Sequence, residues 1–334
     1  MSFPRRRESA DNKSSVKSQI PAYAGMTDYK HTPMTYRQAI AEAAQKLKTA
    51  GLANSVLEAQ ALLALATRRD LAAILTHPEC ELPAKLRPRW NFLLKLRTRR
   101  VPLALLAGHK EFFALDFQIN RWTLVPRPAT ETLIEIALKI RPTPAAVVDI
   151  GTGCGCIAIS LLKKWPHAAG YATDISKNAL KVAQTNARAH QVSKRLKFFA
   201  GSLLAPLKNV VKNGDLKNNW ILTANLPYLN SLERDYYEKN CPELLHEPSR
   251  ALYAKKNGLQ LYFRLLRQVA QLKNPPRAIL LEISPEQTRE IKNFSQHIWP
   301  RAVISCQPDL AGQARVLEII LYKPKKLALP ETRK

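Results

Sequence analysis

Asn225, Leu226, Pro227 and Tyr228 stand in a row directly behind the apolar run 220–224, where a buried strand would end. Their chemistry suits a planar amide or amine. The Asn side-chain oxygen and the neighbouring backbone carbonyl can each accept one hydrogen of an NH2 group, Pro fixes φ, and Tyr supplies a flat wall. A cradled nitrogen needs a group donor, and a second stretch upstream has the build of a nucleotide loop. An apolar run, 145–148, leads into Asp149, then Gly151, Thr152, Gly153, Cys154 and Gly155, before helical spacing resumes over 157–162. The three glycines permit a tight turn and close ligand approach. Their Gly-x-Gly-x-Gly spacing differs from the Gly-x-Gly-x-x-Gly of dinucleotide binders. A further strand over 170–173 ends on Asp174, nineteen positions after Gly155, where a carboxylate can accept ribose hydroxyls.

The elements that must position these groups alternate along the chain. Strands are expected at 147–149, 171–174, 196–199, 220–224 and 278–283, with helices at 157–164, 177–190, 259–272 and 285–297 and a closing strand pair near 303–307 and 314–321. Such alternation predicts an α/β fold, a mostly parallel sheet with helices on both faces. Ligands in that architecture sit at the carboxyl ends of the strands, which would gather the glycine loop, Asp174 and Asn225 around one crevice. Residues 34–99 read instead as short helices. Tyr36, Ile40, Ala43, Ala44 and Leu47 form one stripe, Leu57, Ala61, Ala64 and Leu65 a second, and Leu86, Trp90, Leu93, Leu94 and Leu96 a third. Asp70 can cap a segment over 71–75, and Arg97 to Arg100 read as the basic end of the last helix. Near-alternation over 111–125 predicts a β-hairpin between the two parts.

The two motifs together resemble a class I S-adenosylmethionine-dependent methyltransferase of the amino-methylating kind. Arg100-Val101-Pro102-Leu103-Ala104, Gly108-His109-Lys110-Glu111-Phe112-Phe113, the stretch from Leu124 to Glu131, Asn225 to Tyr228, Glu247-Pro248 and the stretch from Asp309 to Arg315 narrow the match. They occur in the order seen in the release-factor glutamine methyltransferase family, over residues 34–323. The resemblance implies a Rossmann-like seven-stranded methyltransferase domain with a small N-terminal helical bundle and a linking β-hairpin. It implies methylation of the Gln side-chain nitrogen in the Gly-Gly-Gln loop of class I peptide-chain release factors, with S-adenosylmethionine as methyl donor and the release factor as protein partner. Carried over residue by residue, Asn225, Leu226, Pro227 and Tyr228 form the catalytic motif. Asp149, Gly151, Thr152, Gly153, Cys154, Gly155, Asp174, Ser202, Leu203 and Asn225 form the donor site, with no metal. The expected divisions are an extension at 1–33, a helical docking domain at 34–109, a hairpin linker at 110–125, the methyltransferase domain at 126–324 and a basic tail at 325–334.

Three positions depart from the family pattern. Ala129 and Ser202 stand where acidic residues are usual, and Leu226 where Pro is usual. A hydroxyl bonds the adenine amino group less strongly than a carboxylate does, so weaker donor binding is expected, with Leu203 packing on the adenine ring. Leu226 keeps the backbone carbonyl but relaxes the loop. Arg127 and Glu131 are expected to position neighbouring segments. Three other readings remain open: a nucleic-acid adenine N6-methyltransferase in which Tyr228 stacks on a flipped base, a methyltransferase for Gln in a ribosomal protein, and a non-enzymatic RNA-binding protein. The first leaves the helical segment and the motif at 125–131 without a role.

Composition bounds the partners. The net charge is +26, from 52 Lys and Arg against 26 Asp and Glu over 334 residues, a field that would attract nucleic acid or an acidic protein. The basic residues run along the whole chain, so nucleic-acid contact is not required. Five Cys with no Cys-x-x-Cys pair support neither a disulfide framework nor a zinc ribbon, and a reducing cytoplasm is the expected location. No apolar run approaches the ~20 residues of a membrane span, and a monomer is expected. Residues 1–33 carry Arg, Lys, Ser and Asp with scattered apolar positions and resemble a translated intergenic repeat, which predicts disorder and a start at Met34.

Overall fold

The protein is described by a computed structural model covering residues 33–321 apart from 213, 215, 217 and 218. The expectations for residues 1–32 and for the tail at 325–334 lie outside the described residues. Over the described chain, α1 (Tyr36–Thr49), α2 (Ser55–Thr67), α3 (Leu71–Thr76), α4 (Arg87–Thr98) and α5 (Leu103–Ala107) precede a hairpin of β1 (His109–Phe112) and β2 (Leu115–Gln118). Next come α6 (Pro128–Lys139), β3 (Ala146–Ile150), α7 (Cys156–Lys164), β4 (Ala169–Asp174), α8 (Lys177–Ala189), β5 (Leu196–Ala200), α9 (Lys208–Lys212) and β6 (Trp220–Asn225). The remainder is β7 (Leu229–Asn230), α10 (Arg234–Asn240), α11 (Ser249–Leu252), β8 (Tyr253–Ala254), α12 (Gln260–Ala270), β9 (Ala278–Glu282), α13 (Thr288–Ile298), β10 (Val303–Pro308) and β11 (Ala314–Ile320).

The main sheet has the order β10-β11-β9-β6-β3-β4-β5. Its β9, β6, β3, β4 and β5 pair in parallel, while β11 runs antiparallel to both its neighbours. The strands β3 and β9 are buried along their whole length, as continuous apolar runs in a doubly covered sheet must be. One face packs on α6, α7 and α8 through Leu133, Ile134, Leu161 and Val182. The other packs on α12 and α13 through Tyr262, Leu265, Leu266 and Ile291. Strand order reverses at β3, so a crevice opens at its carboxyl end beside β6.

The helical segment has its own core, in which Tyr36, Leu47, Leu62, Leu63 and Trp90 are buried. Thr35 begins it with a reciprocal cap: Gln38 N donates to Thr35 Oγ1 at 3.3 Å, and Thr35 N to Gln38 Oε1 at 2.9 Å. Asp70 precedes α3 but makes no side-chain cap bond. The expected second stripe is displaced: α2 buries Ala59, Leu62, Leu63 and Ala66, leaving Leu57 64% exposed. A nearly all-apolar helix has no polar face to set its register, and the fit against α1 and α4 selects the buried side.

The hairpin is shorter than its alternation suggests, ending at Gln118 rather than Val125. Phe113 and Ala114 at its turn have φ of 51° and 56°, the left-handed pair that a tight two-residue connection demands. Glu131 of α6 fixes that turn, its Oε1 accepting from Phe113 N at 2.9 Å. Arg97 lies in the basic last turn of α4 as expected, and is only 5% exposed.

Candidate active site

A cavity of about 680 Å³ lies at the carboxyl ends of β3, β4 and β6. Gly151, Thr152, Gly153, Cys154, Asp174, Ser202, Leu203, Asn225, Leu226 and Pro227 all line it. Of the residues expected to form the catalytic motif and the donor site, Asp149, Gly155 and Tyr228 do not line it, and each has structural work behind the wall.

The wall on the side of the glycine loop is built largely from backbone. Gly151 N and Thr152 N donate to Thr173 O at 2.8 and 3.0 Å, tying the loop after β3 to β4. Gly153 has φ of 57°, and a Cβ there would meet nothing within 4 Å, so the loop leaves a cradle rather than a packed turn. Gly155, at φ 87°, starts α7; a Cβ would stand 2.9 Å from Ile159 Cδ1 and 3.2 Å from Ala183 Cβ. Only glycine lets these helices close. Asp174 Oδ2 accepts from Gly153 N at 2.9 Å and Oδ1 from Ser176 N at 2.8 Å. Burial raises its pKa and these two bonds oppose the rise. A carboxylate has about four acceptor sites, so Asp174 retains capacity for hydroxyls.

Asp149 is fully buried, and burial pushes its carboxyl up to about 6 against hydrogen bonds from Thr152 and Thr223. Thr152 Oγ1 donates to its Oδ2 at 2.6 Å and Thr223 Oγ1 to its Oδ1 at 2.9 Å. It therefore fastens the glycine loop to β6, the strand that carries Asn225. Asn186 of α8 does the same toward the hairpin: its Nδ2 donates to Cys154 O at 2.8 Å and Gln118 O at 2.9 Å, and its Oδ1 accepts from Gln118 N at 2.9 Å.

The opposite wall, carrying Asn225 to Pro227, is held from behind by side chains far away in sequence. Asn225 Nδ2 donates to Thr130 Oγ1 at 3.2 Å. Leu226 is only 4% exposed, and its Cδ2 lies 3.1 Å from where a Cβ on Gly151 would stand, so its side chain is anchored against the glycine loop. Packing thus replaces the stiffness expected from Pro. The Tyr262 hydroxyl lies 3.1 Å from Leu226 O and 2.5 Å from Glu282 O, and serves both with its single proton. Gln287 Nε2 donates to Tyr228 O at 2.9 Å and Asn257 O at 2.8 Å. Burial pushes the Tyr228 phenol up to about 12.

Glu282 completes this wall and was not singled out from the sequence. It pairs in register with Asn225 and is 1% exposed. Burial pushes its carboxyl up to about 7, against the opposing pull of Thr130, Arg315, Arg127 and Asn225. The signal that could have found it is an apolar strand ending on a carboxylate, the same signal that marks Asp174.

At the rim, Trp122 is 42% exposed, with the Arg121 guanidinium 4.7 Å from its ring centre, and Arg250 and Arg264 also line the cavity. Glu247 is buried, pairs with Arg127 and accepts from Val125 N at 2.9 Å. The same segment reaches the helical part: Glu243 bonds Arg100 at 2.8 Å and stands 3.5 Å from Arg97, which itself grips Glu58 at 2.8 and 3.0 Å. Among the described residues no cluster of His, Cys, Asp or Glu is arranged to hold a metal, and no helix is long and apolar enough to cross a membrane.

Comparison with known proteins adds family and fold. The family described as "PrmC N-terminal domain" matches residues 38–108, and "Methyltransferase small domain" matches residues 128–223. A release factor glutamine methyltransferase of Moorella thermoacetica is 35% identical over 285 residues, covering 84% of this chain and 97% of that protein. One from Dictyoglomus turgidum is 33% identical over 284 residues, covering 83% and 95%. The solved hMettl16 catalytic domain in complex with the MAT2A 3'UTR hairpin 6 aligns with a TM-score of 0.52 at 16% identity, over 69% of this chain and 82% of that one. At that identity the likeness concerns the fold.

Proposed function

The chain belongs to the release factor glutamine methyltransferase family, and on that premise we propose that it methylates the side-chain amide nitrogen of the Gln in the Gly-Gly-Gln loop of class I peptide-chain release factors. S-adenosylmethionine, when bound, supplies a methyl group on a positively charged sulfur. The observation that carries the reading is one cavity walled on one side by a glycine-built loop with Asp174 and on the other by Asn225 and Leu226.

The open cradle at Gly153 and the spare acceptor capacity of Asp174 fit a nucleoside-bearing donor. Asp174 would receive the ribose hydroxyls, Ser202 would meet the adenine amino group, and Leu203 would pack on the ring. An amide nitrogen is a feeble nucleophile because its lone pair is delocalised into the carbonyl, so positioning is most of the task. Reaction requires nitrogen and methyl carbon at a near-attack separation of about 3–3.5 Å. Asn225 Oδ1 and the Leu226 carbonyl accept the two N–H bonds, direct the lone pair at the carbon and stabilise the positive charge that develops on nitrogen. The nitrogen–methyl bond would form as the methyl–sulfur bond breaks, with S-adenosylhomocysteine as the leaving group, and one of these hydrogens would leave as a proton to solvent. Residues 34–109 form the docking unit for the factor, and action on translation components places the protein in the cytoplasm.

Labelled S-adenosylmethionine offered with purified release factor, with the same factor carrying Gln→Ala in its Gly-Gly-Gln loop, and with ribosomal RNA tests this reading. Label on the intact factor alone is expected. Label on RNA with none on protein would overturn it.

A further inference from the structure

Glu282 ends β9 as Asn225 ends β6, and the two residues are partners in the parallel ladder. Side chains paired across neighbouring strands leave the sheet on the same face. That face is covered by α6, which brings Thr130 against both: Asn225 Nδ2 donates to Thr130 Oγ1 at 3.2 Å, and Thr130 and Asn225 are the hydrogen-bonding side chains near the Glu282 carboxyl. Glu282 Oε2 is buried without a closed hydrogen bond among the described residues. An ionisable group in that state is a poor device for stability, since an apolar residue of similar volume would fill the place at lower cost. Its chemistry is directional instead. Ionised, above about pH 7, the carboxylate only accepts, so it draws the NH2 of a neighbouring amide toward itself and repels the amide oxygen.

We propose that Glu282, acting with Thr130, is a positioning residue that locks the Asn225 amide with Nδ2 toward the sheet and Oδ1 toward the cavity. The opposite rotamer would present two hydrogens to an incoming NH2 and accept neither of its bonds. Arg127 and Arg315 are the cations that face the carboxyl, and Tyr228 and Tyr262 stand beside it. The inference deepens the proposed function, on which it rests for the identity of the acceptor.

The test is Glu282→Gln in the full chain, assayed at about pH 8, where the parent carboxyl is ionised. Gln both donates and accepts, so the preference for one Asn225 rotamer is lost while volume is kept. The expected result is a fall in kcat of about tenfold or more, with KM for release factor and Kd for S-adenosylhomocysteine within about twofold. In an Asn225→Ala background the same change should alter kcat by less than about twofold, because the residue acts through Asn225. A second readout needs no turnover: the Asn225 side-chain amide signals in a nitrogen-15 NMR spectrum, assigned by their loss in Asn225→Ala, should lie downfield in the parent and move toward those of free Asn in Glu282→Gln. Unchanged kcat, an equal loss in the Asn225→Ala background, or unmoved Asn225 signals would each overturn the proposal. A parent protein that methylates no release factor would refute the proposed function, while the NMR comparison would still decide the role of Glu282.

Discussion

The two walls of the cavity are made by different means. On the donor side, Gly151, Thr152 and Gly153 work through backbone amides bonded to Thr173 and Asp174. On the acceptor side, Asn225, Leu226 and Tyr228 are held by Thr130, Tyr262 and Gln287, which come from α6, α12 and the turn before α13, and Glu282 of β9 pairs with Asn225 in the ladder. A wall of backbone depends on φ, and φ is set by residue type at the position itself. A wall of side-chain props depends on which elements the topology makes neighbours. The first is fragile to added atoms and the second to lost polar groups.

The largest expected effect separates the walls outright. Asn225→Ala removes one preorganised partner of the acceptor and should lower kcat by about 10²–10³, or roughly 2.7–4 kcal/mol. Calorimetric titration with S-adenosylhomocysteine should show donor affinity unchanged; a parallel loss of affinity would mean that the walls are one unit. Gly155→Ala should give the opposite signature, because a left-handed φ and the contact with Ile159 strain the loop by about 1–3 kcal/mol. Donor Kd should weaken and Tm fall, with kcat at saturating donor little altered.

A smaller effect tests the props. Tyr262→Phe deletes the hydroxyl between Leu226 O and Glu282 O, a hydrogen bond of about 0.5–1.5 kcal/mol. Slower turnover without a change in donor Kd would place Tyr262 on the acceptor side only.

The smallest effect is on stability against pH. Burial raises Asp149 to about 6 and Glu282 to about 7, so between their unfolded values and these the native protein holds protons that the unfolded chain has released. Stability should therefore decline as pH rises through about 4 to 7. Denaturant midpoints at pH 5 and pH 8 measure the slope, and Glu282→Gln should flatten its upper half; an unaltered slope would mean that Glu282 does not titrate there.

Legibility in the sequence follows the same division. The glycine spacing, Asp174 and the tetrapeptide at Asn225 could be read because each is contiguous or ends an apolar run. The alternation of strands and helices sufficed for the sheet, as burial on both faces leaves little choice of pattern. Thr130, Tyr262 and Gln287 could not be read, since nothing near them in sequence marks a hydrogen bond closed through the sheet. The side of α2 that packs was equally hidden, because an apolar helix of that kind has no polar face. The burial of Arg97 was hidden for a related reason: its ion pairs with Glu58 and Glu243 span 39 and 146 positions.

Those ion pairs bear on how such a protein can be recombined. Glu243 lies in the segment between β7 and β8, whose other end is fastened by Glu247 to Arg127, while Arg97, Arg100 and Glu58 belong to the helical part. A chimaera that swaps the helical part alone would inherit one half of a charge lock and strand the other. Glu58, Arg97, Arg100 and Glu243 are thus a single unit of exchange, although they lie on both sides of any cut placed in the hairpin.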